Sequence, residues 1–279
     1  MKSIDIKLQE LLIKAKRDVF GGNLGDNLTT FKGDGLDFRE IKEYEIGDDI
    51  RKINWNATAK TSKTQVNLFN VDRELNIVIV FAISGSIYFG TKILKQDIVA
   101  SIMAHLAYST VKNNNKLSGI LYSNTEQQFY PPTKNESLIY TITKDILKTN
   151  CLHKQTVYTD MCDYINSIVK EKSLIFIVGD FYGEIDLSSI AYKHEVYTLI
   201  VRDRFEEYPY ISGEYNFVSP VDFSSTNVNM NKSFALKYQK LIKEQDDKFF
   251  EHCNQHKIVS GKIYTDDDIY LRLSEILRG

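Results

Sequence analysis

Residues 75–83 read Leu-Asn-Ile-Val-Ile-Val-Phe-Ala-Ile, a short, almost wholly apolar run rich in β-branched side chains. That pattern predicts a strand buried on both faces. Ser84-Gly85-Ser86 follows as a turn, and from about Lys92 to Lys112 the apolar residues Ile93, Leu94, Ile98, Ile102, Leu106 and Val111 recur at helical spacing. The alternation repeats: strands over 117–122, 174–178 and 196–201, and helices over 135–147 and 162–170. Strands alternating with helices predict an α/β fold with a doubly wound, mainly parallel sheet. Ligands of such sheets sit beyond the carboxyl ends of the strands, which directs attention to the loops 82–91, 155–160 and 179–184.

Two stretches depart from this texture. Residues 1–73 begin with an amphipathic helix carrying Leu8, Leu11, Leu12 and Ala15 on one face, then run through a Gly/Asn-rich turn into short extended segments. They read as an N-terminal helix and β extension, with residues 74–279 as the α/β domain. Within the latter, Pro209, Gly213 and Pro220 mark a hairpin excursion near 205–225, after which a helix through Phe234 and Phe249, a strand over 258–264 and a last helix complete the same sheet.

Composition narrows the function. The 35 basic and 37 acidic residues leave a net charge of −2, which argues against a general nucleic-acid binder. No apolar run approaches the roughly 18 residues that a membrane span needs, and the charged first helix is unlike a signal peptide. Cys151, Cys162 and Cys253 are an odd, widely spaced set, as expected of reduced thiols in a cytoplasmic protein.

The loop after the first strand has two chemical readings. Gly85-Ser86-Ile87-Tyr88-Phe89-Gly90-Thr91-Lys92 approaches a phosphate-binding loop. Its Thr and Lys stand in the reverse of the order that places Lys on phosphate and hydroxyl on magnesium, which argues against nucleotide. The other reading is a metal-ion-dependent adhesion site, with hydroxyls and carboxylates from three loops around a hard divalent cation. Ser84, Ser86, Thr159 and Asp180 supply such oxygens, but Ala82 stands where the first Asp belongs. Mg2+ or Mn2+ binding is then expected to be weak or absent, and turn and helix-cap hydrogen bonding is the plainer role for Ser84 and Ser86. His252, Cys253 and His256 form a short nitrogen and sulfur group without a distant partner. Asp266-Asp267-Asp268 reads as a helix start. No catalytic triad spacing is visible, so catalytic residues are expected to be none; the rival from another class is a metal-dependent hydrolase or nucleotide-dependent enzyme using the loops around Ser84 and Asp180, with Asp203.

A more specific signal lies earlier. Gly35-Leu36-Asp37-Phe38-Arg39-Glu40, then Tyr44-Glu45-Ile46-Gly47-Asp48-Asp49-Ile50-Arg51-Lys52-Ile53-Asn54-Trp55, then Arg73-Glu74 ahead of a buried strand, resembles the domain-of-unknown-function fifty-eight family. Thr159-Asp160, Gly179-Asp180-Phe181 and Asp203-x-x-Glu206 follow in that family's order, so the resemblance runs from about Gly33 onward. It implies a von Willebrand factor A-like domain and a bacterial-type association with MoxR-type AAA+ ATPases. The function to expect is non-enzymatic protein binding beside such an ATPase, in assembling or remodelling other complexes. Ala82 departs from the Asp of metal-binding members and leaves a degenerate adhesion site. Physically the motif reads as structural: Tyr44, Gly47, Asp48, Asp49, Arg51 and Asn54 build a turn around an ion pair. Trp55 is expected to be a buried anchor that holds the N-terminal region against the α/β domain.

Overall fold

A computed structural model describes residues 4–22, 37–46, 48, 50, 53–61, 63–70, 74–124, 127–209 and 212–278. The chain divides into two compact units, residues 1–28 with 75–279 and residues 29–74.

The large unit is built on a six-stranded sheet of β3 (Asn76–Ala82), β4 (Lys116–Tyr122), β5 (Gln127–Thr133), β6 (Leu174–Gly179), β7 (Glu195–Arg202) and β10 (Val259–Tyr264), in the order β10-β7-β6-β3-β4-β5. All neighbours are parallel except β4 and β5. β3 and β6 sit centrally and are buried almost throughout, because their continuous Ile, Val and Phe runs offer no polar face to water. β5 had no counterpart in the hydrophobic pattern. It carries Pro131 and Pro132, which only an edge strand tolerates, and it occupies the edge.

Helices cover both faces. α3 (Lys95–Lys112), α4 (Ser137–Lys148), α1 (Ile4–Gly21) and α9 (Ile269–Arg278) pack together on one side. On the other side, Val78, Val80 and Ala82 of β3 join a buried cluster with Tyr158, Met161, Cys162 and Ile165 of α5 (Tyr158–Ile168), Ile190 of α6 (Ser188–Ala191), and Phe249 and Cys253 of α8 (Lys232–Gln255). The sheet is therefore doubly wound. Grouping α1 with the extended region needs correction: its Leu8, Leu12, Ala15 and Val19 stripe is buried in the large unit, where α3 and α4 supply the apolar surface it needs.

Between α7 (Arg204–Glu207) and α8, β8 (Gly213–Val218) and β9 (Ser225–Met230) form an antiparallel hairpin, with every residue of β8 exposed. Among the described residues, no helix is long and apolar enough to cross a membrane.

The smaller unit pairs β1 (Asp37–Glu43) with β2 (Gln65–Asn70) around α2 (Trp55–Thr61). The Asn54 side chain accepts the Ala57 amide at 3.0 Å and caps α2, while its amide nitrogen donates to Asn67 Oδ1 at 2.8 Å. Asp48 accepts the Glu45 amide at 2.8 Å and pairs with Lys42 at 3.0 Å; these bonds hold its carboxyl below the usual range. The Tyr44 amide donates to Thr64 O at 2.8 Å. Gly47, Asp49 and Arg51 lie outside the described residues. Trp55 overturns the expectation of a buried anchor: it is the first residue of α2 and is 71% exposed. Among the described residues of this unit, two short strands and a two-turn helix hold too little apolar material to cover an indole.

Candidate functional site

The strand order reverses direction between β3 and β6: the chain leaves β3 toward β4 and β5 on one side, then returns to β6 on the other. A crevice opens beyond the carboxyl ends at such a point. Ser84 and Ser86, just past β3, and Asp180, just past β6, meet there. Both hydroxyls donate to Asp180 Oδ2, and they lie 3.0 Å from each other. The other Asp180 oxygen accepts the Tyr182 amide at 3.5 Å. These groups border a cavity of about 100 Å3 that is also lined by Gln155, Thr156, Tyr158, Tyr182 and Val221.

Thr159 is not brought to this place. α5 begins at Tyr158, so Thr159 lies on the exposed first turn, where its hydroxyl faces Asp160 Oδ1 at 3.4 Å. The threonine at the cavity is Thr156, but its hydroxyl is committed to Ile83 O at 2.9 Å and Tyr122 O at 3.3 Å, tying the loop to the sheet. A further oxygen at the cavity belongs to Tyr158, whose hydroxyl accepts the Phe181 amide at 3.1 Å. Burial pushes that phenol well above its usual range, and the Asp180 carboxylate adds to the shift. Tyr158 carried no signal in the sequence beyond its aromatic character.

Ala82 is fully buried in the apolar cluster. A Cβ added to Gly179 would lie 3.0 Å from Ala82 Cβ and 3.7 Å from Tyr158 Oη, so glycine at 179 leaves this point to the Ala82 methyl and the Tyr158 phenol. The donor set is one carboxylate and two hydroxyls that satisfy each other. A hard divalent cation needs about six oxygens and enough negative charge to offset its own, and these residues do not fit a resident ion. Among the described residues no group of three His, Cys, Asp or Glu is placed to hold a metal. His252 Nε2 accepts the Leu187 amide at 3.1 Å, and Cys253 is buried beside Thr198, so the His252–His256 segment is occupied structurally.

Behind Tyr182 lies a polar network that the sequence did not announce. Lys95 and Arg202 are both fully buried. Arg202 donates to Asp246 Oδ1 at 3.1 Å, Lys262 bridges Asp246 and Glu207 at 2.6 and 2.7 Å, and Lys95 reaches Glu206 at 2.6 Å. Asp203 caps α7 through the Phe205 amide, with Glu206 returning to the Asp203 amide at 2.8 Å. Burial pushes the Asp203 carboxyl up, but the Thr91 and Phe205 amides and the Thr265 and Thr91 hydroxyls outweigh it and hold the carboxyl below the usual range. Thr91 thus anchors Asp203, Lys92 is exposed, and α3 begins only at Lys95, an arrangement unlike a phosphate loop running into its helix.

Against known proteins, the chain is 28% identical over 206 residues to uncharacterized proteins of Mycobacterium tuberculosis and Mycobacterium bovis, covering 71% of this chain. The match spans 64% of the length of those curated relatives. Among solved structures, it is similar to the conserved hypothetical protein BatB from Bacteroides thetaiotaomicron, with a TM-score of 0.45 at 11% identity over 73% of this chain and 97% of that one. An aerotolerance-related membrane protein from Bacteroides fragilis, carrying multiple mutations to serines, gives a TM-score of 0.42 at 11% identity over 72% and 96%. The family model described as "Protein of unknown function DUF58" matches residues 40–248, and the chain belongs to that family.

Proposed function

We propose that this chain is a non-enzymatic, von Willebrand factor A-like binding module whose carboxyl edge around Ser84, Ser86 and Asp180 receives a protein partner, a MoxR-type AAA+ ATPase. The observation that carries the reading is the makeup of the switch-point crevice. It gathers a lone carboxylate under two hydroxyls, with no imidazole or thiol within the cavity lining to act as base or nucleophile. Binding is what such a set of neutral donors and one anion does without further chemistry. The hydrolase reading draws less support, because the Asp203 oxygens are taken up by the α7 cap, Thr91 and Thr265. The ATPase assignment rests on the family resemblance, and a cytoplasmic setting is part of the same proposal.

The test mixes the purified chain with the MoxR-type ATPase of the same genome, with and without Mg2+ and ATP, and follows complex formation by sedimentation. Association of the wild type and its weakening in Asp180→Ala are expected. Failure to associate in any nucleotide state removes the proposed partner. ATP or phosphoester turnover by the isolated chain that Asp180→Ala abolishes moves the chain to the enzyme class.

A further inference from the structure

The β8–β9 hairpin reaches the switch-point crevice with its tip. Pro220 O accepts the His153 amide at 2.9 Å, Val221 O faces His153 Nδ1 at 3.1 Å, and the His153 and Phe223 rings meet edge to face at 4.0 Å. Val221 forms one wall of the cavity that holds Ser84, Ser86 and Asp180. Gly85 lets the tip come this close, for a Cβ there would stand 2.6 Å from the Pro220 oxygen. With the tip down the cavity holds about 100 Å3, space for a few waters. A loop of another protein does not enter that space.

Two tight turns, one on each side, bring the His153 and Phe223 rings together. Five described non-glycine residues have left-handed φ: Asn114, His153, Phe181, Phe223 and Lys257. Asn114 and Lys257 follow the ends of α3 and α8, where that conformation closes a helix. His153 is the third residue of the Cys151–Lys154 turn, and Phe223 is the last residue of the Ser219–Ser224 hairpin loop, positions that such turns fill with left-handed residues. His153 and Phe223 face each other across the latch, and Phe181 follows Asp180.

The tip is also preformed. The Ser219 amide donates to Ser224 O at 2.8 Å and the Phe223 amide to Ser219 O at 3.0 Å, while Asp222 Oδ1 accepts the Ser224 amide at 3.1 Å and hydroxyl at 2.8 Å. The tip is therefore held together by its own bonds, on strands whose β8 side is exposed along its whole length. Lifting it breaks the His153 bonds and ring contact and leaves the sheet intact.

We propose that the hairpin is a strap whose tip occupies the place of a partner's turn, and that it lifts before a partner reaches Ser84, Ser86 and Asp180. The occupant that replaces it is a protein turn presenting two consecutive main-chain carbonyls to His153, as Pro220 and Val221 do. This rests on the edge being a partner site, but the motion of the strap is measurable without any partner.

In the full-length chain, a Ser86→Cys thiol reports entry to the crevice by its rate of maleimide labelling, against a background of three buried native cysteines. Adding His153→Gly removes the imidazole from the latch and suits the left-handed backbone; Gly85→Ala instead pushes against the Pro220 carbonyl. Each is expected to speed labelling about tenfold, the factor set by losing a contact of one to two hydrogen bonds. In the wild type, the His153 amide should exchange with deuterium much faster than the amides of β3. Unchanged labelling in both variants, or a His153 amide that exchanges only as slowly as β3, overturns the strap. Faster labelling together with unaltered binding of the ATPase leaves the strap standing and overturns that partner's assignment to this edge.

Discussion

The guanidinium carbon of Arg202 lies 3.8 Å from the centre of the Tyr182 ring, so a fully buried cation at the end of β7 is roofed by an aromatic residue that also lines the Ser84–Asp180 cavity. Lys95 Nζ approaches the same ring at 5.8 Å. One ring thus separates the crevice from the buried charges. Tyr182→Phe keeps the ring and is expected to change stability by less than about 0.5 kcal/mol. Tyr182→Ala opens the roof and should cost about 3–5 kcal/mol in denaturant unfolding. Equal losses in the two variants would place the effect in the hydroxyl and remove the roofing role.

His194 makes stability depend on pH. It accepts the Ser173 amide on Nδ1 at 3.2 Å, which requires that nitrogen to be unprotonated, and burial, with Lys193 nearby, pushes the imidazole down to about 4. The unfolded imidazole titrates near 6.5, so between those values the unfolded chain binds the extra proton. The contribution is fully present above about 6.5 and is lost as pH falls toward 4, with a ceiling of about 3 kcal/mol. Melting temperature measured from pH 7.5 to 4.5 should fall more steeply for the wild type than for His194→Asn, which keeps an acceptor without the titration. Parallel profiles would remove His194 as the source.

The exposure of Trp55 reverses the cost expected of its loss. As a buried anchor its truncation would remove about 3–5 kcal/mol. On the surface of a short helix, Trp55→Ala is expected to shift stability by no more than about 0.5 kcal/mol. Thermal unfolding of both proteins decides between these values, and a loss in the larger range would mean that the indole is covered in solution.

Position 82, where the adhesion-site pattern calls for Asp and this chain has Ala, gives a test of metal binding in the crevice. Ala82→Asp places a second anion near Asp180 in a buried setting and is expected to lower the melting temperature in chelator. Millimolar Mg2+ or Mn2+ should restore part of that loss by binding the folded state, while leaving the wild type unmoved. Adding Asp180→Ala should abolish the response. A metal-independent Ala82→Asp variant would show that the serines and Asp180 serve only each other.

The strands that carry the site were legible because burial on both faces demands continuous apolar runs, as in 75–83 and 174–178, and few other elements look alike. The turns after those runs follow from connectivity, so Ser84, Ser86 and Asp180 were within reach of the sequence. Thr159 was not correctly placed, since helix starts shift by a residue or two and one step rotates a side chain by about 100°. β5 was invisible because its prolines are allowed by an edge position that only the assembled sheet creates. The smaller unit's lack of cover for Trp55, the burial of Lys95 and Arg202, and the fall of the hairpin tip onto Gly85 all escaped for one reason. Local pattern determines which way a segment folds and which face it must hide; whether a particular charge is buried, or a particular ring left bare, depends on partners that are distant in sequence and meet only in the tertiary structure.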